Sequence, residues 1–180
     1  MSSFYTEKEL SEIGLKSFGE NVLISRKCSI YAPEKISIGN NVRIDDFCIL
    51  SGNITLGSNI HISAFCALYG SNGIVMEDYT GMSPRSIIFS ATDDFSGEYL
   101  IGPIHPAEYT NVKGGVVILQ KYVQLGANTI VLPSVIIGEG AVTGAMTFVN
   151  KNLTGWGIYT GIPAKLLRKR SNNLLRFTNN

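Results

Sequence analysis

From Ile38 onward the chain sets an aliphatic residue at every sixth position: Ile38, Ile44, Leu50, Leu56, Ile62 and Leu68. The intervening units read IGNNVR, IDDFCI, LSGNIT, LGSNIH and ISAFCA, and their fifth positions, Val42, Cys48, Ile54, Ile60 and Cys66, are also apolar and slim. After a two-residue slip the pattern resumes as MEDYTG, MSPRSI and IFSATD, with Thr80, Ser86 and Thr92 in the fifth slot. It returns after a loop as LQKYVQ, LGANTI, VLPSVI, IGEGAV and TGAMTF, from Leu119 to Phe148, and two earlier hexads open at Ile24 and Ile30.

A period of six is neither the 3.6 of an α-helix nor the simple alternation of an isolated strand, so each hexad is read as a short strand plus a corner. Three hexads then make one triangular coil. Positions one and five point into the prism, and a small residue at position two suits the corner. Successive coils pair as parallel strands about 4.8 Å apart, and stability comes from stacking each coil on the next. The pattern predicts an all-β parallel solenoid over residues 22–154, interrupted by a loop at 93–115 that carries no hexad. A loop of that length inside a compact domain points to function.

The ends break the period. Thr6 and Glu9 have capping-box spacing, Leu10 and Ile13 share a face, and Gly14 is placed to stop a short helix, so residues 1–20 read as a helical cap on the first coil. Leu166, Leu167, Leu174, Leu175 and Phe177 among Lys165, Arg168, Lys169 and Arg170 predict an amphipathic helix over 163–178.

Composition narrows the function. The 180 residues suit one domain, 44% are hydrophobic, and only 16% are charged, a low share that suggests surface covered by other copies of the chain. The net charge is +1 and no Lys/Arg cluster precedes the tail, which argues against nucleic acid as a partner. No run of apolar residues is long enough for membrane insertion, and the opening MSSFYTEKEL has no basic-then-apolar leader, so a soluble, cytoplasmic protein is expected. The three cysteines, Cys28, Cys48 and Cys66, all fall in the fifth slot and read as small interior filler; their odd number and spacing argue against a disulfide framework and against a metal site.

Hexads of this form followed by Gly161-Ile162-Pro163-Ala164-Lys165 resemble the hexapeptide-repeat acetyltransferases, in particular the galactoside and maltose acetyltransferases and the sugar acetyltransferases of O-antigen and capsule clusters. The resemblance covers most of the chain and implies a left-handed parallel β-helix, against the usual right-handed preference of parallel crossovers. It also implies a homotrimer with sites between neighbouring prisms, acetyl-CoA as co-substrate and a sugar or nucleotide-linked amino sugar as acceptor. Matched stretch by stretch, pantetheine contacts fall on Ala127 and Ala145, the nucleotide end of the cofactor near Asn150 and Lys151, and its phosphates on Lys165 and Arg168. Lysine and arginine suit phosphate because they offer charge-assisted hydrogen bonds.

Relatives that acetylate sugar hydroxyls carry a catalytic histidine just after the last hexad before the loop, and here that position is Asp93. An imidazole near 6.5 accepts a hydroxyl proton at neutral pH, whereas an ordinary aspartate, near 3.9, is a poor base. Three explanations stand side by side. The acceptor is an amine that Asp93 need only orient or relieve of a proton; or desolvation in the groove makes Asp93 a competent base toward a hydroxyl; or the base is His105, carried in the loop. Asp94, Glu98, Tyr99, Tyr109 and Asn111 in the loop, with Tyr69 beside the Gly70–Gly73 bulge, are candidates for holding the sugar. His61 ends a hexad and is expected to face outward.

Two rivals are weighed. Hexapeptide-repeat carbonic anhydrases hold zinc with three histidines, and this chain has only His61 and His105. A non-catalytic β-solenoid scaffold or binding module explains the repeat but leaves Gly161 to Lys165 without a purpose.

Overall fold

The computed structural model describes residues 3–178. The hexads build three walls. One carries the parallel rungs Val22–Ile24, Val42–Ile44, Ile60–Ile62, Gly81–Met82, Gln124–Leu125, Val142–Thr143 and Gly157–Thr160. The second runs through Ser29–Tyr31, the first half of Ile49–Leu56, the first half of Ala67–Met76, Ile87–Phe89, Ile130–Val131 and Phe148–Val149. The third takes Ser17–Phe18, Ile36–Ile38, the second halves of the two long strands, Val117–Leu119 and Ile136–Ile137. The solenoid is therefore longer than the expected 22–154, opening at Ser17 and ending at Thr160.

Positions one and five form the core as the period requires. Ile38, Ile44, Leu50, Leu56, Ile62 and Leu68 are buried, as are Val42, Cys48, Ile54, Ile60 and Cys66. The thiols of Cys28, Cys48 and Cys66 donate to the carbonyl oxygens of Asp45, Ser63 and Ser83 in the next coil, at 3.1, 3.1 and 3.2 Å. In the later coils this slot holds hydroxyls that find partners inside: Ser86 Oγ donates to the Gly126 carbonyl at 3.0 Å, and Thr129 Oγ1 lies 2.9 Å from Thr143 Oγ1. Thr92 departs from the expectation. It is only half-buried, because the chain has already left the prism after Ser90.

The corner chemistry also differs from the sequence reading. The residue that turns with positive φ is position four, at Asn41 (φ 54°) and Asn59 (φ 61°), and asparagine tolerates this region better than most side chains. Phe47 (φ 62°) and Phe65 (φ 63°) occupy it as well, their rings stacked with centroids 5.0 Å apart. The glycine at position two answers a different need, the close approach of coils. A Cβ on Gly39 would lie 2.5 Å from the Gly57 carbonyl oxygen one rung away.

At the N-terminus the expected helix is present as Glu7–Ile13, with the Thr6–Glu9 capping box formed and Gly14 ending it at φ 82°. Leu10 plugs the first coil, and Arg26 grips Glu9 through both guanidinium Nη atoms at 2.7 and 2.6 Å, drawing the Glu9 carboxyl down to about 2. The C-terminal helix expected over 163–178 is not formed. Lys165–Lys169 is a strand paired antiparallel to Gly157–Thr160, and Asn173–Phe177 is a short 3-10 turn. The last rung would otherwise present an unpaired edge, and the returning strand covers it. Arg170 locks the return by donating to the carbonyls of Tyr122 and Gly140 at 2.9 and 2.8 Å. No helix among the described residues is long and apolar enough to cross a membrane.

Candidate active site

The inserted loop leaves and re-enters the prism through a two-stranded neck, Ala91–Thr92 antiparallel to Lys113–Gly114, with Thr92 opposite Lys113. Ser90 anchors the exit: its Oγ donates to the Tyr69 carbonyl at 2.9 Å and accepts from the Asn72 amide at 2.9 Å. Return is equally close, since the Gly115 amide donates to the Ser90 carbonyl at 2.9 Å. Val117–Leu119 then resumes the third wall on Ile74–Met76.

Two adjacent aspartates at this neck have opposite fates. Asp94 is buried. Its Oδ2 accepts from Lys113 Nζ at 2.9 Å and from Asn111 Nδ2 at 2.7 Å, and its Oδ1 accepts from the Ser96 amide at 2.8 Å. Lys113 first, then Ser96 and Asn111, hold the Asp94 carboxyl well below the usual carboxylate range. Asp94 and Asn111, expected to hold a sugar, thus close the loop on itself instead. The Asp93 carboxylate has no hydrogen-bond or ion-pair partner among the described residues, and Asp93 borders a hollow on each side. One, about 370 Å3, is bordered by Gly102, Pro103, His105, Ala107 and Val112; the other, about 360 Å3, by Phe89, Ala91, Phe95 and Leu132.

The loop residues expected to act together therefore divide. Asp93 and His105 share a hollow. Glu98, Tyr99 and Tyr109 line a separate depression at the loop tip with Glu108, tied by the Leu100–Thr110 bridge. Tyr69 lies on the outer face of the second wall with its ring stacked on Phe89, centroids 5.3 Å apart, and so adjoins the hollow next to Asp93. His61 faces outward as expected and lies 2.8 Å from Asp45 through Nε2, away from the loop. Sequence reasoning missed Lys113, Phe89, Phe95 and Leu132. Phe89 was within reach, since it follows Tyr69 by one coil plus the two-residue slip.

Of the residues matched to the cofactor, Ala127 is half-buried and Ala145 exposed at successive corners of the late coils, bridged by the Met146 amide donating to the Ala127 carbonyl at 2.8 Å. Asn150 and Lys151 are exposed at the next corner. Lys165 and Arg168 are three apart in a strand, which ordinarily places them on opposite faces. A register shift changes that. Lys165 pairs with Thr160 and Arg168 with Ile158, two residues on the outer face of the last rung, so both cations emerge on one side.

A triangular hexapeptide solenoid with a polar loop neck set against late coils and a basic return strand defines a β-helical acyltransferase. Comparison with known proteins agrees. An N-acyltransferase from Bacillus cereus, AntD, crystallised with dTDP and 3-hydroxybutyryl-CoA, superposes with a TM-score of 0.97 at 53% identity over 99% of this chain and 96% of that one. A dTDP-4-amino-4,6-dideoxy-D-glucose acyltransferase from Escherichia coli is 43% identical over 176 residues, 96% of this chain and 92% of the relative. A hexapeptide-repeat acetyltransferase from Vibrio cholerae, complexed with acetyl-CoA, shares the fold at a TM-score of 0.64 and 16% identity over 92% of this chain and 76% of that one. No protein-family model matches the chain. The chain belongs to the nucleotide-amino-sugar acyltransferases that include the first two relatives, an acyl-CoA-dependent family built on the left-handed parallel β-helix. The donor is accordingly described as acyl-CoA, a broader class than the acetyl-CoA that the family resemblance implied.

Proposed function

We propose that this enzyme transfers a short acyl group, acetyl in the simplest case, from acyl-CoA to the amine of dTDP-4-amino-4,6-dideoxyglucose or a close analogue, and that Asp93 is the residue that receives the amine. The observation that carries the reading is the unpartnered Asp93 carboxylate beside the fully engaged Asp94. The B. cereus relative was crystallised with dTDP-4-amino-4,6-dideoxyglucose and coenzyme A, and its solved structures include variants at a serine and at an aspartate ten positions further on. Ser83 and Asp93 have that spacing here.

A sugar amine needs less activation than a hydroxyl. Asp93 holds it and takes its proton as the nitrogen attacks the thioester carbonyl; the amide forms, the carbon–sulfur bond breaks, and the departing CoA thiolate takes up the proton released from Asp93 and leaves as the thiol. His105, on the same hollow, is the second candidate for the proton. Backbone N–H groups of the late coils stabilise the oxyanion, with pantetheine along Ala127 and Ala145, the nucleotide end near Asn150 and Lys151, and the phosphates on Lys165 and Arg168. Tyr69, Glu98, Tyr99 and Tyr109 contribute to the acceptor side, the loop tip reaching the neighbouring subunit of a homotrimer. The protein works in the cytoplasm and feeds an acylated sugar to lipopolysaccharide or another surface glycan.

The test is CoA release measured with the purified chain, acyl-CoA and the dTDP-sugar, with acetyl-CoA and 3-hydroxybutyryl-CoA run in parallel and the product weighed by mass spectrometry. Release that depends on both substrates, with one acyl group added to the sugar, supports direct transfer. A burst of CoA without acceptor would refute it. Light scattering gives the subunit number in the same preparation.

A further inference from the structure

The hollow on the second-wall side of Asp93 has an uneven chemistry. Three separate segments build it: Phe89 from the rung before the loop, Leu132 at the end of the rung one coil later, and Ala91 to Phe95 from the neck. Four of its lining side chains, Phe89, Ala91, Phe95 and Leu132, are apolar. Of the two polar ones, Thr92 directs its hydroxyl to the Asp93 carbonyl oxygen at 3.4 Å, which leaves the Asp93 carboxylate as the group open to a ligand. Phe89 is held in place by its stack on Tyr69, and Leu132 by its amide, which donates to the Val149 carbonyl at 2.9 Å.

One carboxylate at the edge of an apolar cup complements a ligand that carries a cationic or hydrogen-bonding group next to a methyl. A 4-amino-4,6-dideoxyhexose has this arrangement, since its amine on C4 and its methyl on C5 are neighbours on the ring. With the amine on Asp93, the C6 methyl has the cup within reach. Resting on the acceptor reading above, we infer that Phe89, Phe95 and Leu132 seat the C6 methyl and make the enzyme selective for 6-deoxy sugars. A 6-hydroxyl would enter the same cup and lose its water there among four apolar side chains, its nearest polar groups, the Thr92 hydroxyl and the Asp93 carboxylate, being already engaged by the Asp93 carbonyl and the amine. An apolar pocket discriminates against an added hydroxyl by about 10²-fold in kcat/KM.

The experiment compares dTDP-4-amino-4,6-dideoxyglucose with its 6-hydroxylated counterpart, dTDP-4-amino-4-deoxyglucose, as acceptors for the full chain with acetyl-CoA, and repeats this with Leu132→Ser and with the exposed Phe95→Ser. Wild type is expected to prefer the 6-deoxy sugar by about 10²-fold in kcat/KM, and each variant to narrow the ratio to about tenfold or less. Equal use of both sugars by wild type, or an unchanged ratio in both folded variants, overturns the methyl seat while leaving the acceptor reading standing. Turnover of neither sugar overturns both. A variant that alters the preference between acetyl-CoA and 3-hydroxybutyryl-CoA and leaves the sugar ratio alone assigns the cup to the acyl chain and also overturns the proposal.

Discussion

Lys113 Nζ stands 2.9 Å from Asp94 Oδ2 and so joins the outgoing and returning strands of the loop one residue from Asp93. Because the two residues are far apart in sequence and adjacent in space, this ion pair adds a side-chain tie to the Ala91–Thr92 and Lys113–Gly114 ladder beside Asp93.

Breaking the pair should therefore affect turnover more than folding. Lys113→Met is expected to lower kcat/KM by about 10- to 100-fold, the scale on which small misplacements act, with the thermal midpoint shifted little. The sign of the pH dependence follows from Asp94, whose carboxyl is held low by Lys113. The clasp is therefore intact at neutral pH and through mildly acidic pH, and its contribution is lost only as the pH falls below the ordinary carboxylate value, about 3.9, and on toward the lowered value of Asp94. Limited proteolysis within 95–111 should stay slow in wild type down to about pH 4 and be fast throughout the same range in Asp94→Ala.

Asp93 itself should carry chemistry without carrying stability. Asp93→Ala is expected to reduce kcat by about 10²–10⁴-fold, the usual worth of a general base, while the KM for acyl-CoA stays near wild type. Steady-state kinetics with each substrate varied in turn checks the split. His105→Ala serves as the comparison: a loss of the same size there moves the base to His105.

Lys165 and Arg168 reach one side of the return strand because of the register shift opposite Ile158 and Tyr159. Replacing either by Ala should raise the KM for acyl-CoA by about tenfold, in line with a lost charge-assisted hydrogen bond, with kcat unchanged. Raising the salt concentration should reproduce part of the effect in wild type.

Stacking of coils gives a prediction independent of function. Leu68→Ala opens a void in a fully buried column and should cost about 2–5 kcal/mol in chemical denaturation. Gly39→Ala pushes a methyl against the Gly57 carbonyl and should cost about 1–3 kcal/mol. An Ala at Gly97 meets no neighbouring atom and differs only by its backbone φ of 92°, so its penalty should be smaller than that of Leu68→Ala.

The amino-acid order alone determined the solenoid, its interior columns, the N-terminal plug and the place where the loop interrupts the coils. Inward positions depend on a local period, and each buried hexad residue repeats the same local geometry, so no long-range information is needed to name Ile44 or Leu68 as core. Only the tertiary structure decided which of two neighbouring aspartates is free. The family resemblance singled out Asp93 as the position of the catalytic histidine, but nothing in the residue order showed that Asp94 would be engaged; the closing of the neck brings Lys113 and Asn111 to Asp94 and leaves the Asp93 carboxylate without a partner among the described residues. The tail was misjudged, since its leucines and cations predicted a helix over 163–178. The unpaired edge of Gly157–Thr160 chose the strand, because a backbone row without partners is satisfied by pairing and not by a helix laid beside it. The cup around Asp93 has the same origin: Phe89, Phe95 and Leu132 belong to different segments, and their meeting is a consequence of coils stacked in register.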